Sequence, residues 1–236
     1  MSESAVEPRF LTSTRAPKAI RTSSESGIQA VRNAIGKAVA DAVPRGGRAL
    51  VVNGGRDDAN AAAIATAVRS RLDRAGIRIV AEHDPADWSA EAAQSWVASQ
   101  LPRAGKLDAV VTANDNQAAG AVAALKAADV APWPVVTGQD AQLDALQRIV
   151  RGEQAITVYK PMEEQAAQAA DIAVRLLTGG EVEGAEPYEG VPSFLFEPAA
   201  VDIHNMTSVV VRHGAWRLDE ICAGSVRRRC EALGLV

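Results

Sequence analysis

Five short apolar runs recur along the middle of this chain, each closed by a polar or glycine-bearing turn: Ala49–Val52, Ile77–Ala81, Leu107–Ala113, Pro134–Thr137 and Ala155–Tyr159. They are too short for buried helices and rich in Val and Ile, so they read as strands buried on both faces. Between them the apolar positions shift to helical spacing. Ile28, Val31, Ile35, Val39 and Val43 form a stripe over Ser26–Val43, with Ser24 or Ser26 available as N-cap. Further helices are expected from the 53–58 loop to about Ala75, and over Ser89–Leu101 with Ala92, Trp96 and Val97 on one side. Alanine-rich helical patterns also follow Asn114-Asp115-Asn116 and Gly138-Gln139-Asp140, and another spans Met162–Leu177. Pro161 suits the first turn of that last helix, and Glu163 and Glu164 lie near its positive end. Short strands alternating with crossover helices make about five βα units. The expected class is α/β, a parallel sheet with helices on both faces.

The flanks are less regular. Residues 1–25 are polar and read as a tail or connecting segment. Gly179-Gly180 ends the 162–177 helix, and a Pro/Gly/Glu-rich loop runs to Pro192. Ser193–Val201 reads as extended chain interrupted by Pro198, and Asn205–Val211 and Leu218–Cys222 as short helical pieces. The division expected is a tail over 1–25, an α/β lobe over 26–160, a helix and loop over 161–192, and a return segment with C-terminal helices over 193–236.

Composition narrows the classes. Hydrophobic residues at 47% and charged residues at 23% are ordinary for a globular domain, while aromatics at 4% leave Ala and Val to fill the core. A formal net charge of −4 argues against broad binding to nucleic acid, so Arg227-Arg228-Arg229 reads as a solvated face. No apolar segment is long enough to span a bilayer. Cys222 and Cys230, with no histidine nearby, do not complete a tetrahedral metal site; free thiols and a local disulfide both fit the spacing.

Catalytic signatures are missing. There is no GxSxG elbow, HExxH, CxxC or GxGxxG, and Gly54-Gly55 is not followed by the Lys-Ser/Thr of a phosphate loop. A carboxylate pair from Asp115 and Asp140 is conceivable, but nothing in their spacing demands it, so the reading is a non-enzyme. No cofactor and no metal are expected. What the strand ends do carry is hydrogen-bonding side chains. Ligands of open α/β sheets sit beyond the carboxyl ends of the strands. Asn60, Trp88, Asn114, Asp140 and Lys160 follow five successive strands. Amide, carboxylate and ammonium groups suit hydroxyls, and an indole face suits the C–H face of a sugar ring. Asn60 and Trp88 also have plain roles available, helix capping and packing.

The runs TAND (112–115), TGQDA (137–141) and TVYKP (157–161), with GVPSFLFEPAAV (190–201), resemble the xylose-type sugar-binding proteins of ABC transporters, which have the type I periplasmic-binding fold. The resemblance covers about residues 7 to 230. It implies two α/β lobes joined by a hinge, with the sugar closed between them. Asn60, Trp88, Asn114, Asp140 and Lys160 match the sugar contacts of the second lobe, Asn60 most loosely. Glu7-Pro8-Arg9 falls where the family ends its first lobe, which would make Arg9 a further sugar contact. Ser23-Ser24 stands where the family has Asp-Asn at a hinge. Ile221-Cys222-Ala223-Gly224 and Cys230 match the family ending, which implies an exported, disulfide-bearing ancestry.

Almost all of the family's first lobe has no counterpart in the resemblance, so the expectation is an N-terminally truncated form, with the first lobe mostly absent and weak sugar binding alone. In the family the 162–177 helix packs on the first lobe. Here its apolar side (Ala166, Ala169, Ile172, Ala173, Leu176) must repack, dimerise or stay exposed. The partners implied are a pentose or hexose and, by family, a transporter permease, with no nucleic acid. The location implied is the periplasm or cell envelope, although no secretory signal is visible at the start of this sequence, which as written would stay in the cytoplasm. The alternatives are a cytosolic sugar-sensing regulator built on the same lobe and a Rossmann-type enzyme.

Overall fold

The computed structural model describes residues 21–23, 25–43, 46–188 and 191–236. Four parallel strands form the central sheet in the order β3-β2-β4-β5: β2 Arg48–Val52, β3 Arg78–His83, β4 Ala109–Thr112 and β5 Val135–Val136. A fifth strand, β6 (Thr157–Tyr159), lies beside β5. Ala155 N–H donates to the Val136 carbonyl at 2.8 Å, and Asp140 N–H to that of Val158 at 2.9 Å. The five helices that follow these strands are α2 Ala59–Arg74, α3 Ala90–Ala104, α4 Asp115–Ala127, α5 Leu143–Arg151 and α6 Met162–Leu177. The five expected βα units are therefore present.

Side-chain alternation along β2 shows how the sheet is covered. Ala49 and Val51 join Ile35 and Val39 of α1 (Glu25–Ala42) and Ile64, Val68 and Leu72 of α2 in one core. Leu50 and Val52 point the other way, into Ala93 and Val97 of α3 and Ala118, Ala121 and Leu125 of α4. Successive residues of a strand face opposite sides, so a doubly covered strand must be apolar throughout. Burying each Val, Leu or Ile contributes about 1.5–3 kcal/mol. The buried line of α3 is Ala93, Val97 and Ala104 rather than the expected Ala92, Trp96 and Val97; Trp96 is half-buried and stacks on His83.

A third core lies beside α5. There Leu146, Ile149 and Val150 meet Tyr159, Val201, Met206, Val210, Ile221 and Val226, and Cys222 and Cys230 are joined in a disulfide. The C-terminal pieces are a π-helical turn at Thr207–Val211, α7 (Leu218–Ile221) and α8 (Arg227–Ala232), whose Arg227, Arg228 and Arg229 are exposed.

Two expectations need correction. β1 (Arg21–Ser23) falls in the segment read as irregular, because its partner β8 (Val191–Leu195) is supplied from far along the chain. The Pro/Gly/Glu-rich loop contains β7 (Glu186–Tyr188), which forms a hairpin with β8. The segment 193–201 is extended and interrupted at Pro198 as expected, with β8 before the break and β9 (Ala199–Val201), antiparallel to β6, after it. The N-cap candidate Ser24 lies outside the described residues. Of the apolar side of α6, only Ile172 is buried; Val174, Leu176 and Leu177 are exposed.

Candidate functional site

Register sets which side chains can meet. Val52 pairs with His83 and with Thr112, and Val110 with Val136, so the turns after these strands share one edge of the sheet. At that edge Asn114 caps α4, its Oδ1 accepting from Gln117 N–H at 2.9 Å. An extended N-cap residue leaves its side chain pointing back at the open first turn. Gln117, one turn further on and buried, donates from Nε2 to the Asn53 carbonyl at 2.7 Å and accepts from Ala113 N–H. This one side chain therefore joins the turn after β2 to the turn after β4. Asn53 is fixed in turn, donating to Glu82 at 2.8 Å and Asp84 at 2.7 Å.

Gly54-Gly55 comes next, and the Trp88 indole lies over it. A Cβ on Gly54 would stand 2.1 Å from the ring carbon Cη2, so only glycine allows this contact. Trp88 remains half-buried and, with Gly55, Asp57, Asp58, Ala86 and Asp87, lines an open depression of about 580 Å³. Asn60 is near this depression but is not the helix cap. Asp58 accepts from Asn60 N–H at 2.7 Å and from Ala61 N–H, leaving the Asn60 side chain exposed.

On the other flank the Asp140 carboxylate and the Lys160 ammonium form an ion pair at 2.6 Å, each side chain about a quarter exposed, at 29% and 23%. The turn carrying Asp140 is unusual. Asp140 and Ala141 both have positive φ, 103° and 51°. Non-glycine residues hold such conformations only when surroundings over-determine them. Here Ala141 N–H donates to Thr157 Oγ1 at 3.0 Å, Gln142 N–H to Asp115 Oδ2 at 3.0 Å, and Trp216 Nε1 to the Ala141 carbonyl at 2.8 Å.

Asp115 sits beneath this turn and is fully buried. It accepts from Thr157 Oγ1 and from Gln154 Nε2, both at 2.8 Å, while Arg148 Nη2 donates to its carbonyl. Burial pushes its carboxyl up to about 7, against the pull of the hydrogen bonds from Gln142, Gln154 and Thr157 and of the Arg148 charge. It is not half of a carboxylate pair: Asp140 turns to Lys160, and Asp115 to neutral donors.

Asp140 and Lys160 are thus in contact on one flank, where Asn114 precedes Asp115, whose N–H donates to the Gln139 carbonyl at 2.9 Å; Trp88 and Asn60 follow the strands on the other flank, and Gln117 links the two turns through Asn53. Arg9 lies outside the described residues. Sequence reasoning missed Gln117, Gln154, Thr157 and Asp58. The available signal was a glutamine three residues after a cap, on the buried side of an alanine-rich helix. Among the described residues no group of three or more His, Cys, Asp and Glu is placed to hold a metal ion.

In a doubly covered parallel α/β domain, polar and aromatic side chains at the carboxyl edge of the sheet stand where such folds place their ligands. Residues 29–181 match the model of the periplasmic binding protein domain, and the chain belongs to that family. It is 44% identical over 112 residues to the D-xylose-binding periplasmic protein of Haemophilus influenzae, covering 46% of this chain and 34% of that one. It is 38% identical over 120 residues to the D-xylose-binding periplasmic protein of Escherichia coli, covering 49% and 36%. The chain thus spans about a third of the length of these relatives. Its fold is that of an ABC transporter solute-binding protein from Clostridium phytofermentans with bound β-D-glucose, with TM-score 0.73 and 24% identity over 86% of this chain and 70% of that one. A periplasmic ribose ABC transporter protein from Conexibacter woesei gives a TM-score of 0.68 at 23% identity, over 90% and 64%.

Proposed function

We propose that this chain is a sugar-binding component of a carbohydrate ABC transporter, working outside the cytoplasmic membrane, and that its ligand is a D-xylose-like monosaccharide held without chemical change. The observation that carries this reading is the Asp140–Lys160 ion pair, formed between the turn after β5 and the end of β6. A carboxylate and an ammonium in contact can each turn to a hydroxyl while their charges stay balanced, which suits a neutral polyol. Trp88 supplies a flat apolar surface for a ring face, and Asn60 and Arg9 are further candidate contacts. The names of the relatives, D-xylose-binding proteins, support the choice of sugar. No helix among the described residues is long and apolar enough to cross a membrane.

The described residues build one wall of such a pocket. Tight sugar binding needs most of the ligand surface buried, so the affinity expected of this chain is millimolar, or about −4 kcal/mol. The test is a titration of the isotopically labelled chain with D-xylose, followed by amide and indole shifts. Resonances of Asp140, Ala141 and the Trp88 indole should move together, and the sugar should be recovered unchanged. A flat titration, or a chemically altered sugar, overturns the reading. The α6 face, with Val174, Leu176 and Leu177 exposed, is proposed as a dimer interface.

A further inference from the structure

We propose that Asp115 is a positioning residue for the ligand rim: from beneath the 138–142 turn it holds the backbone in the conformation that brings the Asp140 carboxylate to Lys160. The proposal rests on the reading that Asp140 and Lys160 face the ligand, but its geometry stands apart from any sugar.

Three successive amides of the turn are each tied to a different point. Asp140 N–H donates to the Val158 carbonyl, Ala141 N–H to Thr157 Oγ1 and Gln142 N–H to Asp115 Oδ2. Thr157 spends its own proton on the same Asp115 oxygen, so two of the three ties end on one carboxylate. The second oxygen accepts from Gln154, whose Oε1 accepts from Arg148 Nε at 3.0 Å. At the start of the turn, a Cβ on Gly138 would stand 2.1 Å from Asp115 Oδ1 and 2.5 Å from Gln154 Nε2. The turn is thus pressed onto the carboxylate at one end and hydrogen-bonded to it at the other. Asp140 and Ala141, the two residues with positive φ, lie between those points. Neither favours that conformation intrinsically, so the ties must supply it.

The charged groups around Asp115 are few. From α5 comes Arg148, paired with Asp144; from the turn and the end of β6 come Asp140 and Lys160, paired with each other. The 154–157 segment brings the neutral Gln154 and Thr157. Gaining a proton would turn one acceptor of Asp115 into a donor facing N–H or O–H groups that are already donors. The raised carboxyl, at about 7, places that exchange where it can be observed.

The experiment follows the full chain without sugar, by amide shifts across pH and by hydrogen exchange, in wild type, Asp115→Asn, Thr157→Val and Thr157→Ser. Wild type should show one pH step shared by the Ala141 and Gln142 amides and the Lys160 ammonium, and Asp115→Asn should lack it. Thr157→Val should speed exchange at Ala141 and Gln142 about tenfold or more, as expected for losing bonds that involve a charged group, with Val51 and Val111 unchanged. Thr157→Ser keeps the hydroxyl and should restore the wild-type rates. If Asp115→Asn does not fold, the Thr157 pair and the wild-type pH step carry the test. Unchanged exchange in Thr157→Val, or no pH step at the turn in wild type, overturns the proposal. Failure of D-xylose to bind would sink the sugar reading and leave this result as it stands.

Discussion

At the scale of the residue, charge pairing and steric room make separable predictions. Lys160→Met removes the partner of Asp140 in a partly exposed pair, so stability should fall by less than about 1 kcal/mol. Loss of a charged donor to a sugar hydroxyl should cost roughly 1.5–3 kcal/mol, so D-xylose affinity should drop about tenfold or more while the urea midpoint barely moves. Gly138→Ala forces a methyl group against a buried carboxylate and a buried amide. It should destabilise by about 1–3 kcal/mol in urea unfolding. The strand-end residues Asn114, Asp140 and Lys160 were legible because a polar side chain right after a buried run must lie at the sheet edge. Asn60 was legible only in place: a three-residue window cannot tell which of Asp58 and Asn60 takes the cap. The role of Asp115 was hidden, because its partners Gln142, Gln154 and Thr157 lie 27, 39 and 42 positions away.

At the scale of the element, burial separates helices that look alike in sequence. Leu125 of α4 is fully buried between the sheet and α3, and Leu125→Ala should cost about 2–5 kcal/mol. Leu177 of α6 is 87% exposed, and Leu177→Ser should stay within about ±0.5 kcal/mol while lowering binding of a hydrophobic dye. Both helices carry apolar stripes, and only the tertiary context tells them apart. The Cys222–Cys230 bridge closes a short loop with a sequence separation of 8, and its reduction should lower stability by roughly 2–3 kcal/mol by the chain-entropy argument. The spacing left the bridge undecided; the third core, which buries both cysteines, explains why they meet. β1 and β7 escaped prediction for a similar reason. Each is three residues long and is a strand only because β8 lies beside it.

At the scale of the whole molecule, the alternation of buried runs and helical stripes was enough to predict a doubly covered parallel sheet, since few arrangements bury such runs on both faces. The antiparallel β6–β9 pair and the β1-β8-β7 sheet depend on long-range return of the chain, which periodicity does not encode. Asp115 gives the pH dependence a definite sign. Folded, it holds its proton up to about 7, whereas unfolded it releases it near the ordinary carboxylate value of about 3.9. Between those values the folded state binds more protons, so this group's contribution to stability is fully present below the window and is lost as pH rises through it. Asp108 works in the opposite sense and at lower pH, because the Arg48 N–H bond holds its carboxyl below the usual range. Urea midpoints of wild type should therefore fall more steeply than those of Asp115→Asn between about pH 4 and 7, and the two curves should run parallel above that.

The central claim is that the carboxyl edge of this sheet grips a monosaccharide. A crystal structure of the chain grown in saturating D-xylose tests it most directly. The account predicts one sugar with hydroxyls on Asn114, Asp140 and Lys160 and a ring face against Trp88. A sugar bound elsewhere on the molecule, or an empty edge with the Asp140–Lys160 pair undisturbed, would contradict it.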